Sequence, residues 1–382
     1  MTAELVFLGV FAWIGHACTW TASLNYLYGH PLPKWFLRPY RLFCGLVICG
    51  FPGLVWMAGP SNPPRVEPGA EGLLFGFYCV TCLSAATLLA GITVYRLTCP
   101  RPKCVLADKT TTLDLWPELG HAALGDGKYR FAARLPFTGA FRVDVTDLTL
   151  AVPSLPPEWD GLTVLLVTDT HFHGTPSKAW FDRVFDRLTA GPTPDVVVLG
   201  GDYLDSDAHR AWVAPLFGRL KYTEAGFAVV GNHDEHHAPD KTRAELESAG
   251  FRVLSNRWET ATIRGVTCVV VGHEGPWFGP PPDLRDAPAD GFRLCVSHTP
   301  DNFYWGQANR INLMLCGHVH GGQIRFPVVG PIFVPSKFGR RFDGGVYEGG
   351  GTVMLACRGL SGKEPLRFRC NPQVMRLTLK VS

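Results

Sequence analysis

Between residues 162 and 320 the chain repeats one pattern: a short apolar run that stops at polar or glycine-rich residues. Leu162–Val167 ends at Thr168-Asp169-Thr170-His171, Val196–Leu199 at Gly200-Gly201-Asp202, and Phe227–Val230 at Gly231-Asn232-His233-Asp234. Val269–Val271 ends at Gly272-His273-Glu274, Leu294–Val296 at Ser297-His298, and Ile311–Cys316 at Gly317-His318-Val319-His320. Apolar runs without alternation read as strands buried on both faces, which points to an α/β sheet. Helical patterns lie between them, over Ser177–Leu188 with Ser177 as N-cap and over Asp240–Ala249 stopped by Gly250. Ligands in such sheets gather at the carboxyl ends of strands, where each of these clusters falls.

The first quarter suits a different solvent. Its only charged residues are Glu4, Lys34, Arg38, Arg41, Arg65, Glu67, Glu71 and Arg96, against 36 Lys or Arg and 33 Asp or Glu in the whole 382-residue chain. Three uncharged stretches result: Leu5–Pro33, Leu42–Pro64 and Gly72–Tyr95. A bilayer crossing takes about 20 apolar residues, so residues 1–96 are expected to form a transmembrane module of about three helices. Leu5–Tyr28 and Leu73–Tyr95 are long enough. Leu42–Gly59 is shorter, and Pro52-Gly53 predicts a kink in it. His16, Thr19, Ser23 and Asn25 make the first stretch the most polar, which leaves an interfacial or bundle-facing helix open. A signal peptide fits less well, because no basic residue precedes the apolar run. Lys34, Arg38 and Arg41 in the loop 29–41, and Arg96, Arg101, Lys103 and Lys109 after the third stretch, outweigh Arg65 in the loop 60–71. The positive-inside rule then places the chain after residue 96 in the cytoplasm.

Cysteine usage agrees. Residues 97–382 hold seven cysteines, an odd number, and Cys268, Cys295 and Cys316 lie inside strand-like apolar runs. Free thiols packed as small core residues fit a reducing compartment. Cys79-Val-Thr-Cys82 lies within the third apolar stretch and reads as packing. Residues 97–158 form a lead-in that ends in a strand over Phe141–Val152, and 159–382 form the domain with the clusters. High apolar content and a net charge of +3 exclude intrinsic disorder.

Ten of the thirteen histidines lie between 171 and 320. Asp169, His171, Asp202, Asn232, His233, His298, His318 and His320 stand out, because each sits at a strand end. Oxygen and imidazole donors without a thiolate suit Mn, Fe or Zn in a reactive site rather than a structural zinc. Two ions about 3.5–4 Å apart need a ligand that touches both, and a carboxylate can do so. In an extended strand end, Asp-x-His would aim both donors the same way.

In order and spacing, Asp169-Thr-His171, Gly201-Asp202, Gly231-Asn232-His233-Asp234, His298 and Gly317-His318-Val-His320 resemble the five motifs of the calcineurin-like metallophosphoesterase superfamily. The resemblance runs from about Leu155 to the end. Gly321-Gly322-Gln323 and Cys357-Arg358-Gly359-Leu360…Pro365-Leu366-Arg367-Phe368 resemble a membrane-attached bacterial branch, with YkuE-like and YaeI-like phosphodiesterases and chlamydial-type UDP-2,3-diacylglucosamine pyrophosphatases. It implies a metallophosphoesterase-type β-sandwich flanked by helices and a multi-pass protein of the bacterial inner membrane. It also implies two divalent ions, one held by Asp169, His171, Asp202 and His320, the other by Asp202, Asn232, His298 and His318. His233 would act at the transition state or leaving oxygen, with Asp234 or Asp205 orienting an imidazole. His173 departs from the usual motif and is expected to be a solvated loop residue.

Charge is uneven beyond the first quarter. Residues 321–382 carry ten Lys or Arg against Asp343, Glu348 and Glu364. Arg340, Arg341 and Arg358 are candidate grips for a phosphorylated substrate or an anionic bilayer, with a solvated basic face as the alternative. Trp277-Phe278 and Phe303-Tyr304-Trp305 read as packing, or as an acyl or base pocket. No basic stripe interleaved with stacking aromatics points to nucleic acid. The expected activity is hydrolysis of a phosphoester or pyrophosphate in a lipid-linked or nucleotide-linked substrate. UDP-2,3-diacylglucosamine is its most specific version and general phosphodiesterase or phosphatase action the alternative. A catalytically dead membrane-bound binding protein is the alternative of another class.

Overall fold

In a computed structural model, residues 3–58 and 70–382 are described. They fall into two compact units, 1–100 with 327–339, and 101–326 with 340–382. Arg65 and Glu67, part of the charge argument above, lie outside the described residues.

The first unit holds three helices, α1 (Ala3–Tyr28), α2 (Lys34–Ala58) and α3 (Ala70–Thr98). Within α1 and α3, Val6–Tyr28 and Gly76–Thr98 are long and apolar enough to cross a bilayer. Pro39 and Pro52 both lie inside α2. The helices are joined by polar side chains. His16 of α1 meets the Tyr78 hydroxyl of α3 at 2.5 Å and the Val47 carbonyl of α2 at 3.1 Å. The segment 327–339 packs on the end of α1. There Asn25 Nδ2 donates to the Ile332 carbonyl (3.1 Å), Asn25 Oδ1 accepts from the Val334 N–H (3.0 Å), and Tyr28 meets Phe333 edge-on.

The second unit is a two-sheet sandwich. Its strands include β1 (Val105–Asp114), β2 (Arg142–Val152), β3 (Thr163–Val167), β4 (Val196–Leu199), β5 (Ala225–Ala228) and β6 (Arg252–Val253). They also include β7 (Trp258–Ile263), β8 (Val266–His273), β9 (Arg293–Ser297) and β10 (Leu313–Cys316). One sheet runs β1, β2, the strand Gln373–Val381, β3, β4, β5, β6. The other runs Gly345–Gly349, Thr352–Ala356, β10, β9, β8, β7. Strands β3 to β6 are mutually parallel, as are β8, β9, β10 and Thr352–Ala356.

Alternation along each strand builds the layers. Val164 and Leu166 of β3 face a core shared with Val270, Leu294, Val296 and Leu315 of the other sheet. Leu165 and Val167 face the opposite way, onto Trp180, Phe181, Val184 and Phe185 of the helix Lys178–Thr189. Ser177 caps that helix as expected, accepting the Trp180 N–H at 3.2 Å. The fold is the expected helix-flanked β-sandwich. One expectation needs correction. Residues 101–158 are not a lead-in outside the domain, since β1 pairs with β2 and β2 with Gln373–Val381 in the seven-stranded sheet. β1 escaped the reading because its side chains are mostly exposed and it has no apolar face.

Candidate metal centre

The carboxyl ends of β3, β4 and β5 in one sheet, and of β9 and β10 in the other, carry the clusters. The chain bends sharply there. Asp169, His171, Asp202, His318 and His320 have φ of 56°, 45°, 56°, 73° and 52°. Left-handed backbone costs an L-residue roughly 1–2 kcal/mol, and such strain persists where the surroundings over-determine it, often at functional sites. The expectation of an extended Asp169-Thr-His171 is therefore not met: both residues are left-handed. Close approach also demands glycine beside the cluster. A Cβ on Gly231 would come within 2.2 Å of Asp202 Oδ1, and one on Gly317 within 2.4 Å of Asp169 Oδ2.

The donors converge. Asp169, His171, Asp202 and His320 place ligand atoms within 4.8 Å of one another, and so do Asp202, His298 and His318. Asp202 belongs to both groups. Its Oδ2 lies 3.6 Å from His171 Nε2 and its Oδ1 3.5 Å from His298 Nε2. His298 Nε2 is 3.0 Å from Asn232 Oδ1, His171 Nε2 is 3.1 Å from His320 Nε2, and His320 Nε2 is 3.9 Å from Asp169 Oδ1. Asp169, His171, Asp202 and His298 are all buried.

Hydrogen bonds on the far side of two rings settle which nitrogen is available. His171 Nδ1 donates to Asp205 Oδ2 at 2.9 Å, and His298 Nδ1 donates to the Gly200 carbonyl at 2.8 Å. Both therefore turn an unprotonated Nε2 toward Asp202, acceptor facing acceptor. A cation between them relieves that arrangement, and such outer partners are the usual way ligand histidines are held. The donor set fits a divalent metal on this ground. His320 differs. Its Nδ1 accepts from Arg367 Nη2 at 3.2 Å, so the neutral ring carries its proton on Nε2.

Charge follows the same geometry. Burial and then the Asp202 charge push the Asp169 carboxyl well above the usual range. Burial also works against ionised Asp202, but the surrounding imidazoles, His298, His233 and His171, outweigh it when they carry charge and hold Asp202 below its usual range. Burial opposes a charged His233, yet Asp202 and Asp205 prevail and raise it to about 9. His233 Nδ1 lies 2.5 Å from Asp205 Oδ1, its ring stands edge-on to His171, and its N–H donates to Asp202 Oδ1 at 2.8 Å.

All eight cluster residues named from sequence come together, but three other expectations need correction. Asp234 is not positioned to orient an imidazole. Its carboxylate accepts the N–H groups of Asp202, Tyr203, Leu204 and Gly231, which fixes the turns after β4 and β5. Asp205 alone of the two carboxylates meets His171 and His233. Arg358 is committed elsewhere, donating to Asp144 Oδ2 at 2.7 Å. His173 is buried and not solvated; its Nε2 reaches the Gly362 carbonyl at 3.3 Å. Of the other basic candidates, Arg341 lies over the rings of Tyr304 and Phe342, and Arg340 is beside it in the turn Gly339–Phe342.

Two residues of motifs named from sequence take positioning roles that the sequence did not assign them. Arg367 is fully buried and donates to the His320 carbonyl at 2.9 Å and the Arg358 carbonyl at 3.0 Å. It lies 47 residues beyond His320, so the Pro365-Leu366-Arg367-Phe368 motif marks the residue but not its contact with that ring. Trp277 packs on His298 and His318, with ring centroids 5.6 and 4.7 Å away, and so walls the second donor group.

Comparison with known proteins agrees. Residues 162–322 match the family of calcineurin-like phosphoesterases. Phosphodiesterase YaeI of Escherichia coli is 33% identical over 225 residues, 56% of this chain and 81% of that protein. The uncharacterized metallophosphoesterase YkuE of Bacillus subtilis is 27% identical over 247 residues, 62% of this chain and 86% of that one. A transmembrane protein with metallophosphoesterase domain from Danio rerio is 28% identical over 212 residues, 51% of this chain and 48% of that one. With two apolar helices in the first unit, that last relative points to membrane association.

Proposed function

The chain belongs to the calcineurin-like metallophosphoesterase family, and from that premise we propose that it hydrolyses a phosphoester or pyrophosphate bond at a membrane with a pair of divalent ions. The observation that carries the reading is Asp202, whose two carboxylate oxygens each face a different imidazole. One ion would be held by Asp169, His171, Asp202 and His320, the other by Asp202, Asn232, His298 and His318. His320 would have to carry its ring proton on Nδ1 instead of Nε2 to take part, giving up the Arg367 contact there. When bound, Mn, Fe or Zn supplies Lewis acidity toward phosphoryl oxygens and a hydroxide nucleophile near neutral pH.

The chain's own residues do the rest. Asp205 holds His171 and His233 in fixed orientations from one carboxylate. With Nδ1 donating to Asp205, His233 has Nε2 left to meet a phosphoryl or leaving oxygen, and as an imidazolium it can protonate that leaving oxygen. Asp234 keeps the turn that presents Asp202 rigid. Trp277 covers one side of His298 and His318 and keeps water from that wall.

The substrate we favour is lipid-linked: UDP-2,3-diacylglucosamine, cleaved to a lipid monophosphate and UMP. Two apolar helices on the same chain support it. General phosphodiesterase or phosphatase action is the second reading, favoured by the likeness to a protein named as a phosphodiesterase. We place the chain in a bacterial inner membrane with the sandwich on the cytoplasmic side. The basic residues flanking the helices support this, as do twelve cysteines that are all free. Arg340 and Arg341 remain candidates for the substrate's phosphates. A phosphorus NMR assay of full-length protein with Mn²⁺ tests the assignment on UDP-lipids, diesters and monoesters. Turnover lost in Asp202→Ala is expected; equal, negligible turnover by both proteins would favour a binding protein instead.

A further inference from the structure

The stretch 115–141 between β1 and β2 has no part in the donor set, yet it touches loops that carry cluster residues. On one side the Tyr129 ring stands edge-on to His173, 6.1 Å away and two residues past His171. On the other, the Gly139 N–H donates to the Arg367 carbonyl at 2.6 Å, and the Arg367 N–H donates to Thr138 Oγ1 at 3.3 Å. Arg367 in turn holds the His320 carbonyl.

With Asp114 and Arg142, this stretch lines an open pocket of about 640 Å³, within the roughly 300–1,000 Å³ typical of small-molecule sites. Trp116, Leu135, Phe137 and Phe141 give it apolar walls, and His121 and Arg134 add polar groups. Phe137 is 84% exposed and Leu135 37%, so this apolar surface is left uncovered by folding. The lining's one carboxylate, Asp114, is already paired with Arg142 at 2.9 Å. Arg134 has no ion-pair partner among the described residues. An apolar-walled space with one uncompensated cation matches a ligand that is apolar along its length and anionic at one end.

We propose that this cavity binds the alkyl or acyl chain of an anionic amphiphile, whose charge Arg134 meets. It rests on the hydrolase reading for one point only, that the amphiphile is substrate or product of the nearby cluster. The chain supplies affinity without touching the reacting phosphorus. Burying two methylenes adds about tenfold in binding.

The test is isothermal titration of full-length Asp202→Asn protein in amphipol, with chelator present so that the donor cluster takes no phosphate through a metal. Octyl phosphate, inorganic phosphate and octanol are the probes. Octyl phosphate should bind at least tenfold more tightly than either of the others. Phe137→Ser should weaken it several-fold, and Arg134→Gln should erase its advantage over octanol. Both side chains are exposed, so the variants should fold, as an unchanged melting temperature would confirm. Octyl phosphate binding no tighter than the two fragments, or equally to all variants, would overturn the proposal. Wild-type turnover, with Mn²⁺, of the same UDP-lipids, diesters and monoesters is followed in parallel. No turnover with cavity binding intact removes the hydrolase reading and leaves the cavity standing; turnover without cavity binding does the reverse.

Discussion

The two units bury opposite things. In the helical unit the apolar side chains face outward, with Leu73 78%, Phe77 74% and Leu46 65% exposed, while His16 and Asn25 are inside at 3% each. In the sandwich the central strands β3, β4 and β10 are almost wholly apolar, and polar side chains appear where they stop. The contrast is the one expected of two solvents. Among lipid tails, apolar side chains gain little by meeting one another, so helices associate through packing and hydrogen bonds. In water, burial of apolar surface drives assembly, and the sheets hold strand-end carboxylates and imidazoles in strained positions. A buried polar residue is thus a fastener in one unit and a candidate ligand in the other. His16 joins α1, α2 and α3 through Tyr78 and Val47 and by stacking on Phe51 at 4.4 Å, whereas Asp202 joins two donor groups.

The largest expected effect tests the ligand half of that contrast. Asp202→Ala should lower kcat/KM on a soluble diester by more than about 100-fold, since even partners outside the ligand shell are worth 10–100-fold. Bound metal measured by mass spectrometry should fall with it, while helicity stays unchanged. Full metal content in the variant would mean that Asp202 is only another fastener. Next comes Asp205→Asn, which weakens the hold on both His171 and His233. A loss of 10–100-fold in activity or metal affinity is expected, with little change in melting temperature. An unfolding shift without a kinetic one would place Asp205 on the structural side.

These two residues also show what could be read in advance. The strands around the site were legible because a strand buried on both faces is an uninterrupted apolar run. β4 is Val196–Leu199 in sequence pattern and in structure alike. The eight cluster residues were legible because each follows such a run. What each carboxylate does was not legible. Asp205 lies three residues past Asp202 and Asp234 one past His233, and only the folded turns show that the first faces imidazoles and the second backbone amides. The strand Gln373–Val381 pairs with β2 and β3, an arrangement that no local pattern encodes. The same holds for 327–339. It follows the ligand turn in sequence but folds with α1, through contacts that span 307 residues.

Asp234 refines the contrast, since it is a fastener inside the ligand unit. Asp234→Asn exchanges a carboxylate that accepts four N–H groups for an amide that accepts with one atom only. Hydrogen bonds to a charged group are worth roughly 1.5–3 kcal/mol each. A net loss of about 3 kcal/mol would lower the melting temperature by roughly 6–12 °C. Calorimetry on the metal-free and metal-loaded protein checks this. The shift should appear in both, whereas one seen only with metal would make Asp234 part of the ligand apparatus.

Asn25 should give the smallest kinetic effect, and it tests whether a fastener in the helical unit is only that. Its amide occupies the Ile332 carbonyl and the Val334 N–H together, and Val334 is fully buried. Asn25→Leu keeps the volume but leaves both backbone groups without this partner, at about 1–3 kcal/mol for each group left unsatisfied. That strains 327–339 locally, so amide hydrogen exchange at 332–334 should quicken by at least about tenfold. Exchange in β4 should not change, and turnover of a soluble diester should stay within about twofold. Unchanged exchange at 332–334 would show that the clasp holds nothing. A kinetic loss as deep as that of Asp205→Asn would show more: the segment beyond His320 would then carry the state of the helices into the ligand turn, and fastener and ligand would no longer be separable roles.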